Sequence, residues 1–525
     1  MIVRKDLSFL LVFKCACLVI PAMVAAADGT ADPPVAQVAT GVLRGQHEGS
    51  VDNFSGVPYA RAPIGSLRWR PPQPALPWTG VRSAQKFGPA CLQPSDNGKP
   101  NPGGYAGPSS EDCLTLNVWA PRGARGAPVM VFVHGGANRF SAGSFPFWNG
   151  TAFARDGVVL VTFNYRLGGM GYFAHPALTR EAGPREPLGN YALLDQIAAL
   201  RWVQRNIRAF GGDPQNVTLF GESSGANQTL WLLTVASARG LFKRAIVESA
   251  GGWVTPATLA QQEQEGVETA KVAGLSGAEA TAAALRRLPA SAFLDPAFKK
   301  TDFQPLIDGR LVTETPTQAF ARNHVPALPL VIGFNSFEGS VMRPDSIALM
   351  GDLPRKLASL YPPSGPGDLS MRMLWGDQYA GAPSRWIAAR NASKAPTWLY
   401  RFSYLPETQR KLFPGAPHGS ELTFVFDSWD EIQASGTYRL LTGADMQVTA
   451  QDRAMTAILH GCWVAFAKGG RPDCPGAPSW PRYSHSADQL MDFDLKPSVR
   501  SGFQKDQFDA LEHWLLPGYL QVSNP

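Results

Sequence analysis

Residues 221–225 read Gly-Glu-Ser-Ser-Gly, and they directly follow the apolar stretch of residues 216–220. The glycine two residues away on each side of Ser223 permits a sharp turn between a strand and a helix, which projects the serine hydroxyl away from the backbone. Because an unassisted hydroxyl is a poor nucleophile at neutral pH, Ser223 needs a base, and the base needs a carboxylate to support it. The pentapeptide therefore predicts nucleophilic catalysis on condition that both partners occur elsewhere in the chain.

Several short apolar stretches that end at glycine or at turn residues are typical of buried parallel strands. Residues 195–210 place apolar side chains at helical spacing, and Gly-Gly-Asp-Pro at 211–214 ends that helix. The predicted strands cover residues 129–133, 158–163, 216–220, 244–248, 328–332 and 398–404, and later helices cover 454–468 and 507–515. Strands that alternate with helices predict an α/β fold with a mostly parallel central sheet and helices on both of its faces.

The chain has 525 residues, of which 44% are hydrophobic and 17% charged, a composition typical of a globular protein. It contains no recognisable internal repeat or interdomain linker, and one α/β domain over residues 28–525 explains the pattern better than two domains. The net charge of +6 is spread along the chain without a block of Lys and Arg. Nucleic acid is therefore not an expected partner.

Residues 1–27 have the features of a secretory signal peptide. Two basic residues at 4–5 precede an apolar segment at 7–20, and three alanines at 25–27 supply a cleavage site. The apolar segment is shorter than a membrane span requires, and no later segment has the length and apolarity of one. We therefore expect a secreted or periplasmic protein that begins near Asp28 and has no integral membrane segment.

Removal of this segment leaves four cysteines, Cys91, Cys113, Cys462 and Cys474. An even number in an exported protein predicts two disulfide bonds, for which three pairings are possible. Pairing between nearest neighbours is the simplest, and closing the loop between Cys91 and Cys113 is worth about 3 kcal/mol in the chain-entropy description. For Cys462, which lies in a helical pattern, the alternative is a free buried thiol.

Six further motifs accompany the pentapeptide at 221–225. They are Phe-Ser-Gly-Val-Pro-Tyr-Ala at 54–60, Leu-Arg-Trp at 67–69, Ser-Glu-Asp-Cys-Leu-Thr-Leu-Asn-Val at 110–118, Asn-Tyr-Arg-Leu at 164–167, Asp-Gln at 195–196 and Phe-Gly-Gly-Asp-Pro at 210–214. Together they resemble the type-B carboxylesterase family, which includes the cholinesterases, from about Gly41 to about Trp514. The resemblance implies the α/β-hydrolase fold, hydrolysis of carboxylic esters, and no metal or organic cofactor.

In the α/β-hydrolase fold the nucleophile is followed along the chain first by the acid and then by the histidine. Of the histidines after Ser223, His418 lies in Pro-His-Gly-Ser-Glu-Leu at 417–422, which resembles the family's His-Gly-x-Glu motif. Glu338 lies in Gly-Phe-Asn-Ser-Phe-Glu-Gly at 333–339, after a predicted strand, and resembles the acid of the family's G-x-N-x-x-E-G motif. The resemblance thus implies Ser223 as nucleophile, His418 as base and Glu338 as the carboxylate that orients it.

His-Gly-Gly-Ala at 134–137 follows the predicted strand at 129–133 and matches the family's His-Gly-Gly-[Gly/Ala] motif. By the family's geometry, the backbone N–H groups of Gly136, Ala137 and Ser224 form an oxyanion hole. Donors of this kind, fixed in place before the reaction, are worth about 3–4 kcal/mol each by deletion.

Other residues match positions that support the active site or the fold in the family. Glu222 stands beside the nucleophile, Glu421 stands three residues after the histidine, and Ser249 matches a serine near that histidine. Arg68 and Glu111 match a structural ion pair. A purely structural role explains each of these residues equally well.

Two departures from the family bear on the substrate. The tryptophan that stacks on choline in the cholinesterases has no counterpart, because no Trp occurs between Cys91 and Cys113, so choline esters are not expected. Arg139 follows the oxyanion motif where the family has aromatic, small or apolar residues. One hypothesis is that the Arg139 guanidinium binds a free carboxylate of the ester. The alternative is that Arg139 turns outward and pairs with a surface acid.

The leading functional interpretation is a secreted serine carboxylesterase that hydrolyses a small-molecule ester through an acyl-enzyme on Ser223. A second is a non-catalytic binding protein, since relatives that have lost triad residues serve as adhesion or carrier modules on the same fold. The intact Ser223, Glu338 and His418 favour the enzyme. A lipase, an acyltransferase or an amidase would use the same groups, and the sequence predicts neither the physiological ester nor the oligomeric state.

Overall fold

A computed structural model of the chain describes residues 32–94, 105, 107–294, 303–343, 346–362, 368–435 and 447–521. The predicted signal segment, residues 1–27, lies outside the described residues. The chain divides into two units, Met1–Pro33 and Pro34–Pro525, and every strand and helix below belongs to the second. Within the described ranges, no helix has both the length and the apolar character needed to cross a membrane.

One large sheet of eleven strands organises the described part of the chain. In chain order the strands of the large sheet and of two smaller sheets are β1 (Val35–Val38), β2 (Gly41–Arg44), β3 (Gln46–Glu48), β4 (Val51–Pro58), β5 (Val81–Ser83), β6 (Ala90–Cys91), β7 (Ser109–Ser110), β8 (Thr115–Pro121), β9 (Ala127–Val133), β10 (Val159–Phe163), β11 (Gly212–Glu222), β12 (Arg244–Glu248), β13 (Leu330–Asn335), β14 (Thr397–Phe402), β15 (Gln489–Phe493) and β16 (Ser498–Ser501). Two small sheets, β1-β2-β5 and β6-β7, stand apart from the large one.

The large sheet has the strand order β16-β15-β14-β13-β12-β11-β9-β10-β8-β4-β3. Every neighbouring pair from β10 to β15 is parallel. The outer pairs, β15 with β16, β10 with β8, β8 with β4 and β4 with β3, are antiparallel. The predicted α/β fold with a mostly parallel sheet is therefore confirmed.

The α-helices connect and cover these strands. In chain order they are α1 (Thr151–Arg155), α2 (Gly168–Tyr172), α3 (Pro176–Glu181), α4 (Tyr191–Asn206), α5 (Ser224–Thr234), α6 (Leu259–Val272), α7 (Ala282–Arg287), α8 (Pro316–Ala321), α9 (Ser346–Leu349), α10 (Leu353–Lys356), α11 (Leu369–Gly376), α12 (Ala382–Ala392), α13 (Leu422–Phe426), α14 (Trp429–Ser435), α15 (Ala450–Gly469) and α16 (Lys505–Leu520). Between α11 and α12 the chain forms a π-helical turn, Asp377–Gly381, and a short 3-10 helix, Glu338–Val341, follows β13.

Strand β9 shows why helices cover both faces of the sheet. Val129, Val131 and Val133 belong to one buried hydrophobic cluster, which includes side chains of α4 and α5. Met130 and Phe132 belong to a second cluster, which includes side chains of α13 and α15. Because successive side chains of a strand point to opposite faces, an uninterrupted apolar strand requires an apolar layer on each side.

The predicted helix at 195–210 shows how accurately the apolar spacing predicts the two ends of a helix. Helix α4 begins four residues earlier, at Tyr191, and a 3-10 turn, Ile207–Phe210, continues it to the predicted end. Gly211 ends the turn with a φ of 78°, a left-handed conformation that glycine adopts without the steric cost of a side chain. The end of the helix was therefore predictable from the glycine, whereas its start was not.

Both nearest-neighbour disulfide bonds are present. Cys91 and Cys113 have an Sγ–Sγ distance of 1.99 Å, and Cys462 and Cys474 have one of 2.01 Å. Cys462 is therefore not a free thiol. The expected ion pair is also present, since the Arg68 guanidinium donates two hydrogen bonds of 2.6 Å to the Glu111 carboxylate.

Candidate active site

Ser223 occupies the turn between β11 and α5, at the carboxyl end of the strand. Its backbone has φ 57° and ψ −126°, and its N–H donates to the carbonyl of Glu248, at the end of β12, over 2.9 Å. A conformation of this kind costs about 1–3 kcal/mol and persists only where the surrounding structure holds it. Ser223 is half-buried, whereas Glu222 and Ser224 on either side of it are buried.

The two glycines around Ser223 are required by the close approach of the backbone. A Cβ on Gly225 would lie 2.0 Å from the carbonyl oxygen of Val133 and 2.6 Å from that of His134. A Cβ on Gly221 would lie 2.7 Å from the same Val133 oxygen. The start of α5 therefore rests directly on the end of β9, which brings the Ser223 turn beside the predicted oxyanion loop.

His418 and Glu338 are joined by a hydrogen bond of 2.5 Å between Nδ1 and Oε2. The other oxygen of Glu338 accepts a hydrogen bond of 2.6 Å from the backbone N–H of Asn335. The backbone N–H of His418 donates to Ser340 Oγ over 2.9 Å, which ties the histidine loop to the 3-10 helix that Glu338 begins. A carboxylate bound to Nδ1 fixes a proton on that nitrogen, so Nε2 is the nitrogen at which the imidazole gains or loses its second proton.

Glu222 faces the other nitrogen of the imidazole. Its Oε1 lies 3.1 Å from His418 Nε2, and the two side chains are only 7% and 9% exposed. Burial alone would lower the pKa of His418, but the charges of Glu222 and Glu338 outweigh burial and raise the pKa to about 9. Burial raises the pKa of Glu222 to about 7, although the charge of His418 opposes this rise. In the described residues no hydrogen bond joins Ser223 Oγ to His418.

Glu421 belongs to the same buried hydrogen-bond network as Glu338 and His418. The side-chain amide of Asn335 donates to the Glu421 carboxylate and, over 2.8 Å, to the carbonyl of Pro417. Ser249 Oγ donates to Glu421 Oε1 over 3.5 Å. Burial raises the pKa of Glu421 to about 8, and the charges of neighbouring carboxylates add to the rise. Asn335 thus binds Glu338 through its backbone and Glu421 through its side chain.

The predicted oxyanion loop has an unusual backbone. Gly136, Ala137 and Asn138 have φ values of 104°, 54° and 55°, and a Cβ on Gly136 would lie 2.4 Å from the Phe140 carbonyl oxygen. Within the described residues, the N–H groups of Gly136, Ala137 and Ser224 donate to no protein acceptor. The loop therefore presents backbone donors next to the Ser223 turn.

Asn138 anchors this loop through all four of its polar groups. Its N–H donates to Ser224 Oγ over 3.1 Å, and its carbonyl accepts from the N–H of Gly168 over 2.8 Å. Its side chain donates to the Phe303 carbonyl over 2.6 Å and accepts from Gln228 Nε2 over 3.2 Å. The sequence did not identify this role. The only available signal was that Asn, among non-glycine residues, readily adopts a left-handed backbone.

Arg139, the next residue, is half-buried with its guanidinium carbon 5.1 Å from the centre of the Phe140 ring. Among the described residues no carboxylate pairs with Arg139, so the alternative of an outward ion pair finds no support there. Burial lowers the pKa of Arg139, and the positive charge of Arg343 lowers it further. Arg343 lies two residues after the end of the 3-10 helix that Glu338 begins, and it is exposed.

Comparison with known proteins identifies the class of this site. The sequence model of the carboxylesterase family matches residues 32–354 and 369–511. The chain therefore belongs to the carboxylesterase family, as its motifs predicted, and it is a carboxylic ester hydrolase.

Two relatives with assigned activities match most of the chain. Fumonisin B1 esterase of Sphingopyxis macrogoltabida is 36% identical over 486 residues, which cover 88% of this chain and 87% of that protein. Para-nitrobenzyl esterase of Bacillus subtilis (strain 168) is 34% identical over 501 residues, which cover 90% of this chain and 97% of that protein.

Solved structures of the same family share the fold. A PNB esterase structure, 30% identical, superimposes with a TM-score of 0.80 and covers 91% of this chain and 99% of that one. Carboxylesterase EST55 of Geobacillus stearothermophilus, 29% identical, gives a TM-score of 0.75 over 90% of this chain and 99% of that one. The predicted α/β-hydrolase fold is confirmed by these neighbours.

The contact between α5 and β9 gives a first prediction. Gly225→Ala places a methyl group against the Val133 carbonyl and must push α5 away from β9, so the free energy of unfolding should fall by roughly 1–3 kcal/mol or more. Urea unfolding measures the change. The matched control is Gly469→Ala at the end of α15, where an added Cβ meets no atom within 4 Å and stability should stay within about 0.5 kcal/mol. Equal stability of the two variants would contradict the packing described.

The Glu222 contact gives a second prediction, about pH. The predicted role of His418 as the base requires a neutral imidazole, so kcat/KM should rise with pH as the imidazole loses its proton. Glu222→Gln removes one of the charges that raise the His418 pKa. The rising limb should therefore move to lower pH, by roughly one to three pH units. The exposed Glu279→Gln is the control and should leave the limb in place. An unmoved limb in Glu222→Gln would show that Glu222 does not govern the base.

Proposed function

We propose that the chain is a serine carboxylesterase that uses Ser223, His418 and Glu338 as its catalytic triad. The observation that carries the proposal is the buried His418–Glu338 hydrogen bond on the edge of the sheet where the Ser223 turn stands. The family membership supports the reaction class, and the arrangement of these side chains supports the assignment of roles. Nucleophile, acid and histidine also follow one another along the chain in the order of this fold.

The proposed reaction proceeds through an acyl-enzyme. Ser223 Oγ attacks the ester carbonyl carbon while His418 Nε2 takes the hydroxyl proton, and Glu338 stabilises the imidazolium that forms. The negative charge on the carbonyl oxygen is bound by the N–H groups of Gly136, Ala137 and Ser224. The bond to the alcohol oxygen then breaks as His418 returns the proton to it. Water attacks the acyl-enzyme by the same route and releases the acid.

Glu222 has a distinct role in this proposal. Its Oε1 contacts His418 Nε2 in the free protein. Nε2 must therefore move from Glu222 toward Ser223 when a substrate binds, before it can take the serine proton. Two acids, Glu222 and Glu421, have pKa values raised into the neutral range, which allows either of them to hold a proton at physiological pH. Their protonation sets how strongly the site stabilises an imidazolium.

We further propose that the ester carries a free carboxylate bound by Arg139. Two observations support this proposal. The Arg139 guanidinium is half-buried next to the loop that Asn138 anchors, and the positive charge of Arg343 lowers the pKa of Arg139. A cation that is partly removed from water and repelled by another positive charge gains from a bound anion. The relatives named after fumonisin B1 and para-nitrobenzyl esters show that related enzymes are assigned to different substrates.

We also propose that the protein is exported. The support is the signal-like segment at 1–27 together with the two disulfide bonds, which persist in oxidising compartments. Release into the periplasm and release into the medium fit these features equally.

Loss of the nucleophile tests the triad. Ser223→Ala should lower kcat for p-nitrophenyl butyrate by at least about 10⁴-fold, and Glu338→Gln by roughly 10³- to 10⁴-fold, because the imidazole then loses its anionic support. The exposed Ser66→Ala is the matched control and should retain wild-type turnover. A covalent phosphonate probe should add its mass to the wild type and not to Ser223→Ala. Wild-type turnover by Ser223→Ala would refute the mechanism.

Two esters of similar size test the role of Arg139. We compare kcat/KM for monoethyl succinate, which is anionic, with that for ethyl valerate, which is neutral. Arg139→Ala should lower the anionic-to-neutral ratio by roughly 10- to 100-fold, the value of a hydrogen bond to a charged group. Arg355→Ala, at a highly exposed arginine, is the control and should leave the ratio alone. The carboxylate hypothesis is wrong if Arg139→Ala does not change the ratio.

A further inference from the structure

The backbone N–H groups along the predicted oxyanion loop fall into two sets. Those of Arg139 and Phe140 both donate to the Gly136 carbonyl over 3.0 Å. That of Asn138 donates to Ser224 Oγ over 3.1 Å. The two N–H groups before Asn138 donate to no acceptor within the described ranges, and they are the loop donors predicted for the oxyanion hole. The bond to Ser224 is therefore one of the contacts that decide which donors stay available.

Helix α5 holds Asn138 at two points. Ser224 and Gln228 are one helical turn apart, so their side chains lie on the same face of α5. Ser224 Oγ accepts from the Asn138 backbone, and Gln228 Nε2 donates to the Asn138 side-chain oxygen over 3.2 Å. Gln228 Nε2 also donates to Tyr172 Oη over 2.9 Å, which fixes the orientation of its amide. The residue that follows the proposed nucleophile thus binds the loop through its side chain.

The Ser224 hydroxyl is also connected to the start of the loop. The Tyr165 hydroxyl donates to the His134 carbonyl over 2.8 Å, and the two rings stack with their centroids 4.5 Å apart. Burial raises the pKa of Tyr165, and a hydrogen bond with the Ser224 side chain opposes this rise. Because Tyr165 gives its own proton to the carbonyl, its oxygen is the acceptor for the Ser224 proton. Ser224 therefore links Asn138, after the donors, to His134, before them.

The loop needs this support because its backbone conformation is unfavourable. Ala137 and Asn138 have φ values of 54° and 55°, in the left-handed region that residues with a side chain rarely adopt. If the Asn138 N–H lost its acceptor, the loop could relax toward an ordinary conformation and turn the Ala137 N–H away. A Cβ on Gly135 would lie only 3.1 Å from the Ser223 Cβ. A small shift of the loop would therefore change the geometry at the proposed nucleophile.

We infer that Ser224 is a positioning residue whose hydroxyl holds the oxyanion loop in the conformation that presents the N–H groups of Gly136 and Ala137. This role is distinct from that of the Ser224 backbone N–H, which is itself a proposed donor. The inference rests on the proposed function, because it requires an oxyanion to form when Ser223 attacks the ester. Since that charge develops only in the transition state, the hydroxyl should affect kcat and not substrate binding.

The test removes the hydroxyl and keeps the backbone N–H. In Ser224→Ala, kcat for p-nitrophenyl butyrate should fall by roughly 10- to 100-fold, the cost of a misplaced catalytic group, while KM changes by less than about twofold. Ser224→Thr retains a hydroxyl and should keep most of the activity. Tyr165→Phe removes the next link, should lower kcat by a smaller factor, and serves if Ser224→Ala does not fold.

A trifluoromethyl ketone reports on the loop directly. The Ser223 oxygen adds to the ketone carbon, its proton passes to His418, and the ketone oxygen becomes the oxyanion that the loop binds. The Ki of this inhibitor should therefore rise in Ser224→Ala by about the factor by which kcat falls. All constants refer to the concentration of active sites, titrated with a phosphonate that labels Ser223.

Ser384→Ala is the matched control. Ser384 is also a buried helical serine, on α12, but its hydroxyl has no hydrogen-bond partner in the part of the chain that the structure describes. Its kcat, KM and Ki should match those of the wild type. A purely structural role of Ser224 would lower only the number of active sites, so an unchanged kcat or Ki per active site in Ser224→Ala overturns the inference.

Ser223→Ala, assayed in parallel, separates this inference from the proposed function. If Ser223→Ala is inactive while Ser224→Ala keeps wild-type constants, only the positioning role is refuted. If Ser223→Ala retains wild-type turnover, the proposed function itself fails.

Discussion

The candidate site depends on the alignment of parallel strands at one edge of the sheet. Val133 pairs with Gly221, Glu222 with Glu248, and Glu248 with Gly333, so β9, β11 and β12 end level with one another and β13 runs only two residues further. Adjacent strands lie about 4.8 Å apart, so the loops after these four strands lie side by side along one edge of the sheet. Each loop supplies one component of the proposed site: backbone donors, the serine, a supporting hydroxyl and the acid. Residues distant in sequence meet because the strands that precede them are in register.

The second constraint on the site is the number of carboxyl groups that are buried close to one another. Four glutamates, at 222, 248, 338 and 421, are buried, and the charges of three of them, Glu222, Glu338 and Glu421, act on the His418 imidazole. Burial disfavours a charged carboxylate, and it raises the pKa values of Glu222, Glu248 and Glu421. Glu338 differs in its partners, since a backbone N–H and the imidazole both donate to it. The carboxylate with the best donors is thus the one that orients the histidine, while the other acids adjust the charge around it.

The sequence located the components of the site better than their contacts. The strands and the family were predictable because apolar stretches and short motifs are local signals, and Ser223, Glu338 and His418 came from motif and chain order. Their catalytic roles remain predictions that the geometry supports. Contacts between distant segments left no local signal. The four partners of Asn138 are one example. A proline in a helical pattern predicts an interruption, but not the π-turn that places Tyr379 against His418.

The backbone conformation of Ser223 has a consequence for the order in which the protein acquires activity. That conformation is held by the carbonyl of Glu248 on one side, while Val133 and His134 pack against the start of α5 on the other. The groups on the two sides come from β9 and β12, the strands that flank β11, so both must be in place before the turn is held. A chain that has not yet closed this part of the sheet therefore carries an ordinary serine, without the projected hydroxyl or the donors beside it. The geometry that suits Ser223 to act as a nucleophile is therefore a product of the tertiary fold and not of the pentapeptide alone.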